Sequence, residues 1–251
     1  MPPTSGGIWN PDIWVNGENR MATFVLVHGA WAGALIWRPI AQALRKAGHE
    51  VYTPTLTGIG ERRHLLSRDI DLGTHTRDVL GVIDYEDLTD IVLVGHSYGG
   101  MVVTGIADAI PDKIASLVYL DAFVPEDGQS LFGMLPPDRP HASASGEEWL
   151  TAPLPVEAFG KVSQQVYDFM ARKGMSQPTA CFSQSVKLSG GIDRIGRKTY
   201  IYCNDPEPTT FTPFYAKLKS RSDWTVRTLP CTHFVQMDMP DELIALLQAA
   251  A

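Results

Sequence analysis

Cysteine is scarce: three in 251 residues, at Cys181, Cys203 and Cys231. Thiols so few and so scattered build neither a disulfide framework nor a zinc knuckle, and buried reduced side chains are expected. Positive charge is short as well. There are 21 Lys and Arg against 28 Asp and Glu, a formal net charge of -7. Along the sequence the cations form no cluster, which argues against nucleic acid or an anionic membrane surface as partner. No apolar run approaches the roughly 20 residues of a membrane span. The first twenty residues lack the basic start and apolar run of a signal peptide, so a cytoplasmic protein is expected. Internal repeats are also missing. What is present suits a soluble globular protein: 44% hydrophobic and 20% charged residues, in a length that buries one sizeable core.

Residues 1–21 stand apart. They are rich in Pro, Gly and Asn, carry Trp9 and Trp14, and read as a surface extension without a catalytic role. Met21 is an alternative start, because the organised pattern begins there. Thr23 to Val27 reads as a buried strand. A helix follows from about Leu35 to Ala47, with Ile36, Ile40, Ala43, Leu44 and Ala47 at three- and four-residue spacing and Gly48 as its stop. Val51 to Thr53, Ile91 to Val94 and Leu117 to Leu120 read as strands, with helices at about Thr76 to Tyr85 and Met101 to Ile110 between them. Strands that are apolar throughout and alternate with helices predict an α/β fold, a mostly parallel sheet covered on both faces.

The rhythm breaks after Pro125. Residues 126–196 show helical pieces, one from Ser163 to Lys173, and no strand pattern, so they read as a helical cap inserted over the sheet edge. The alternation resumes with strands at Thr199 to Cys203 and Trp224 to Thr228, a helix holding Phe214 to Leu218, and a last helix opened by Pro240. The expected division is thus an extension at 1–21, a core at 22–125 and 197–251, and a cap at 126–196.

The stretch VLVGHSYGGMVV places Ser97 in a G-x-S-x-G turn, Gly95 to Gly99, between an apolar strand and a helix. That context defines a nucleophile elbow, a sharp turn whose neighbours must be small and which lifts the hydroxyl above the sheet edge. The amide of Tyr98 then opens a helix and faces a bound carbonyl oxygen. The base expected for such a serine is His233, in the loop after the last strand. His96 points elsewhere; His49, His64, His75 and His141 are assigned to the surface. His28 opens HGAW after the first strand, where Gly29 permits close approach, Ala30 N–H is the second oxyanion donor, and Trp31 shapes the pocket.

Together FVLVHGAW, PTLTGIGERRHL, VLVGHSYGGMV and YLDAFVPEDGQS resemble the α/β-hydrolase fold. Within it they resemble the bacterial carboxylesterases related to plant methyl esterases and hydroxynitrile lyases, from about Ala22 to the C-terminus. The resemblance implies Ser97 as nucleophile, His233 as base, and the Ala30 and Tyr98 amides as oxyanion hole. It also implies that a lyase would carry threonine and lysine where this chain has Gly29 and Phe234, so ester hydrolysis is favoured. Two carboxylates end strands between Ser97 and His233. Asp121, in YLDAF, is favoured as the triad acid and Asp205 is the alternative, with Glu207 a distant third. The expectation is a serine carboxylesterase acting on small or aromatic esters through an acyl-enzyme, as monomer or homodimer, with no metal and no cofactor. The alternatives are a hydroxynitrile lyase-like C–C lyase and a non-catalytic ligand-binding relative. Trp31, Phe123 and Phe234 are pocket candidates. Leu131, Met134, Leu150, Phe159, Phe169 and Phe182 are apolar candidates for its cap side, with core packing as their other role.

Overall fold

Strands without a polar face cannot stand with one side in water, so helices must cover both sides of the sheet. The computed structural model, which describes residues 21–136, 143–144 and 147–251, has that arrangement. Its first half runs β1 (Thr23–Val27), α1 (Arg38–Lys46), β2 (Glu50–Tyr52), α2 (Leu72–Tyr85), β3 (Ile91–His96), α3 (Gly99–Ala109) and β4 (Ile114–Leu120). Next come α4 (Leu131–Met134), β5 (Ser143–Ala144), β6 (Glu147–Thr151), α5 (Gln164–Lys173), β7 (Gln177–Pro178) and α6 (Ala180–Ser183). The chain ends with β8 (Lys198–Cys203), α7 (Thr212–Leu218), β9 (Thr225–Leu229), α8 (Val235–Asp238) and α9 (Pro240–Ala249).

Six strands form one sheet in the order β2-β1-β3-β4-β8-β9. Every neighbouring pair is parallel. Ile40 and Leu44 of α1 pack with Leu243 and Leu247 of α9 on one face. Val79 and Ile83 of α2 pack with Val102 and Ile106 of α3 on the other. From β1 the chain moves outward to β2, then returns to β3 on the far side of β1. The crevice beyond the carboxyl ends of β1 and β3 is therefore the switch point, where ligands bind in open parallel sheets.

Two helix starts differ from the sequence reading. α2 begins at Leu72 because Asp71 caps it: its carboxylate accepts the Thr74 N–H at 2.7 Å, and Thr74 Oγ1 accepts the Asp71 N–H. Gly73 and His75 had diluted the apolar period there. Ahead of α1, Ala34–Trp37 is a 3-10 turn and Pro39 stands at the helix start.

The insertion needs a larger correction. It is not helical alone: β5, β6 and β7 form a small antiparallel sheet. Strands this short cannot display a period of two, and β7 reaches β6 across the intervening α5. The helix expected at Ser163 to Lys173 is present as α5, with Ser163 as its cap. The charge pattern also changes in three dimensions. No basic cluster exists along the sequence, yet Arg38, Arg45, Arg63, Arg172 and Lys173 line one groove.

The three cysteines are free and buried, as expected. Among the described residues, no helix is long and apolar enough to cross a membrane. Trp9, Trp14 and His141 lie outside the described residues.

Close packing explains the glycines of the elbow. A Cβ on Gly99 would sit 2.8 Å from the carbonyl oxygens of both Val27 and His28, which are backbone and cannot swing aside. Gly99→Ala is therefore expected to destabilise the fold by about 1–3 kcal/mol. A urea midpoint lowered at unchanged slope is the measurement that checks it.

Candidate active site

Ser97 follows directly from β3. Its φ is 55°, a left-handed value that costs a non-glycine residue energy. The turn is held in place by its backbone: Ser97 N–H donates to Leu120 O at 3.2 Å, and Ser97 O accepts from Gly100 and Phe123. Asp121 directly follows β4 and has φ 40°. Its N–H donates to Ile201 O at 2.7 Å, locking the strand end against β8. Ser97 and Asp121 thus each combine a left-handed backbone with a polar side chain at the carboxyl edge of the sheet.

His233 lies in the loop between β9 and α8. Its Nδ1 is 2.6 Å from Asp121 Oδ2. The second oxygen, Oδ1, accepts the Cys203 N–H at 3.1 Å. Both side chains are buried. Burial disfavours charge on each, pushing the imidazole down to about 3 and the carboxyl up, while the Cys203 amide pulls the carboxyl back. A neutral imidazole that gives Nδ1–H to the carboxylate keeps the Nε2 lone pair free. Ser97 and His233 face the same small chamber, with Gly29, Ala30 and Phe234. The rings of Phe159 and Phe211 lie parallel to the imidazole, at 5.1 and 4.9 Å between centroids.

Asp205 is placed differently. It is exposed, its N–H donates to Cys231 O, and it stands on the wall of a second cavity that Asp121 and His233 also line. The structure brings Asp121, and not Asp205, to the imidazole. Glu207 is exposed as well.

Four histidines are structural parts of the site or core. His96 donates Nε2–H to the His233 carbonyl at 2.9 Å, and its ring lies 4.5 Å from the His233 ring. It thus holds the loop that bears the imidazole. His75, assigned to the surface from sequence, is fully buried: Nδ1 accepts the Tyr98 hydroxyl at 2.9 Å and Nε2–H donates to Thr57 O. His49, assigned likewise, is buried against Phe24 and accepts the Ala22 N–H. Both occupy positions where a helix or turn meets the sheet, which their local sequence does not reveal. His28 is buried with Nδ1–H on Gly29 O and Nε2 accepting the Leu56 N–H. Burial pushes it down to about 4, so the ring that pins the loop after β1 stays neutral.

Ala30 and Tyr98 flank Ser97 on the wall of the main pocket, a cavity of ≈ 70 Å³. Among the described residues, neither of their N–H groups is spent on another protein group. Trp31 and Phe123 line this pocket, as do Leu131, Phe159 and Phe182. Phe234 lines the smaller chamber behind His233 instead. Met134, Leu150 and Phe169 are not on the wall. Phe132, Leu135, Leu154, Thr210 and Phe211 also stand on the wall, with no local sequence signal that marks them. Trp31, with φ 67°, ties the loop after β1 to the insertion: its N–H reaches Gln177 Oε1 and its indole N–H reaches Thr151 O. Among the described residues, no group of three or more His, Cys, Asp and Glu side chains is arranged to hold a metal ion.

A serine on a strand–helix elbow at the switch point, with a histidine–carboxylate pair delivered by two later strand ends, is the layout of hydrolases built on a parallel sheet. The chain belongs to the alpha/beta hydrolase family, whose model matches residues 24–246. It is 46% identical over 241 residues to the carbendazim hydrolyzing esterase of Nocardioides sp. (strain SG-4G), covering 91% of this chain and 99% of that one. It is 27% identical over 263 residues to methylesterase 7 of Arabidopsis thaliana, covering 92% and 96%. Among solved structures it is similar to an extracellular alpha/beta-hydrolase from a Paenibacillus species, described as sharing structural and functional homology with tobacco salicylic acid binding protein 2. That match has a TM-score of 0.78 and 25% identity over 92% of this chain and 99% of the other.

Proposed function

We propose that this carboxylic ester hydrolase cleaves small or aromatic esters through an acyl-enzyme, with Ser97 as nucleophile, His233 as base and Asp121 as the acid. Ser97 Oγ attacks the acyl carbon and its proton passes to His233 Nε2. The oxyanion accepts the N–H groups of Ala30 and Tyr98, donors worth about 2.7–4 kcal/mol each where one has been removed elsewhere. The imidazolium, steadied by Asp121, protonates the departing alcohol. Water then takes the same route, giving its proton to His233 as it attacks the acyl carbon and releasing the acid and free Ser97. The observation that carries this reading is the 2.6 Å contact between His233 Nδ1 and Asp121 Oδ2, in a pair whose imidazole shares a chamber with Ser97.

The aromatic wall of a ≈ 70 Å³ pocket supports a compact, flat acyl or alcohol group. Residues 126–196 supply part of that wall, which supports their reading as a cap over a core at 22–125 and 197–251. The test is rapid mixing with p-nitrophenyl acetate, with steady-state turnover of methyl benzoate and of carbendazim alongside. One equivalent of p-nitrophenol per enzyme in the first turnover is expected. Release unchanged by loss of Ser97 would overturn the reading.

The lyase alternative fares poorly on the geometry of position 29. A Cβ there would come within 2.9 Å of Ser97 Cβ, so the threonine that the lyase pattern carries has no room in this loop. Phe234 is buried and uncharged where that pattern has lysine. Cyanide release from mandelonitrile is therefore expected to stay at the uncatalysed background. A rate above it that disappears in Ser97→Ala would count against this.

A further inference from the structure

The groove that gathers the cations lies away from the main pocket. It is about 820 Å³ and open to solvent. Arg38 opens α1 and Arg45 lies in its last turn; Arg63 comes from the 3-10 turn Gly60–Leu65; Arg172 and Lys173 end α5. One wall thus belongs to the sheet's own helices and the other to the insertion. Among the described residues that line it, five cations face a single carboxylate, Glu61, in a chain whose net charge is -7. Such a concentration against the overall sign focuses an attractive field for anions. We propose that this groove is a binding site for a small polyanion, of the class of multiply phosphorylated metabolites.

Three features choose that occupant. Four of the five cations are arginines, whose planar forks match phosphate oxygens in pairs. The groove is concave and of the size that takes a small molecule, not a flat face for a protein partner. No aromatic side chain stands among the described residues that line it. Nucleobase stacking, which single-stranded nucleic acid uses for affinity, has no platform there. Arg45 also donates to Val51 O, and Arg172 to Asp168 O, so these two are held in place on the walls. Arg38, Arg63 and Lys173 are exposed. The floor includes Ala32 and Gly33, next to the loop that carries Ala30 and Trp31. A bound polyanion would bridge α1 and α5 and stiffen the junction of insertion and core.

Isothermal titration of the full chain with inorganic tripolyphosphate tests this independently of ester hydrolysis. At about 50 mM salt, one site of micromolar affinity is expected, weakening at least about tenfold at 300 mM. Arg38→Ala/Arg63→Ala/Lys173→Ala should weaken it about 30-fold while circular dichroism and ester turnover stay unchanged. If the triple variant fails to fold, Arg38→Gln and Arg63→Gln singly should each weaken it severalfold. Absence of saturable binding at low salt, equal affinity in the variants, or a stoichiometry well above one overturns the proposal. So does tighter binding of a single-stranded oligonucleotide of matched charge.

Discussion

Ser97→Ala is expected to lose ester hydrolysis almost completely, with kcat lower by about 10⁴- to 10⁶-fold, while the protein stays folded. The size follows from the role. Without Oγ no acyl-enzyme forms, and only the oxyanion donors and the pocket remain to speed attack by water. The fold persists because what Ser97 does for the structure is done by its backbone. Its N–H on Leu120 O and its carbonyl under Gly100 and Phe123 are untouched by the change. Alanine tolerates a φ of 55° about as well as serine does, so stability should move by less than about 1 kcal/mol. Mass spectrometry of the native enzyme after a fluorophosphonate should find the label on the peptide holding Ser97. Ser116, in β4, is a fair internal control, since it is buried and out of reach. A label on any other serine, or full activity in Ser97→Ala, would remove Ser97 from its role.

How far the sequence carried can be judged at individual residues. The elbow was readable because all its requirements are local: an apolar strand, a helix, and glycines at the three places where backbone passes at under 3 Å from a would-be Cβ. The parallel sheet followed from the alternation of strands and helices, and the observed strand ends moved by only a few residues. The small sheet of the insertion was hidden because its strands are two to five residues long and pair across α5. His75 and His49 were hidden for another reason. Their burial is decided by Tyr98, Thr57, Phe24 and Ala22, residues far along the chain that only the fold brings near. The cation groove is the same case in electrostatics: charges spread over more than a hundred residues meet on two walls.

The choice between Asp121 and Asp205 was the hardest to read, since both are aspartates just past a strand. Register separates them. Asp121 N–H on Ile201 O keeps the chain paired to β8 as it turns, which drives the side chain inward under the Cys203 amide and against His233. Asp205 lies two residues beyond β8, already attached to the loop through Cys231 O and open to water.

Asp121→Asn should therefore lower kcat by about 10⁴-fold, and Asp205→Asn by no more than a few-fold. Asparagine at 121 can keep the bond from Cys203 N–H through its carbonyl oxygen, which leaves its NH₂ facing Nδ1. That group donates, so the imidazole must accept at Nδ1 and carry its proton on Nε2, where it cannot take the one from Ser97. The carboxylate that would steady the imidazolium is also gone. The fold should not suffer, because burial already opposes charge at this position and a neutral amide avoids that cost. Asparagine at 205 changes an exposed side chain whose carboxylate does not touch His233, so only the field at the mouth of the neighbouring cavity shifts. Steady-state rates of both variants on one p-nitrophenyl ester, with circular dichroism to confirm folding, rank them directly. The reverse ranking would hand the role to Asp205. Two equally large losses would mean that both carboxylates hold the imidazole, which the 2.6 Å contact with Asp121 alone does not lead one to expect.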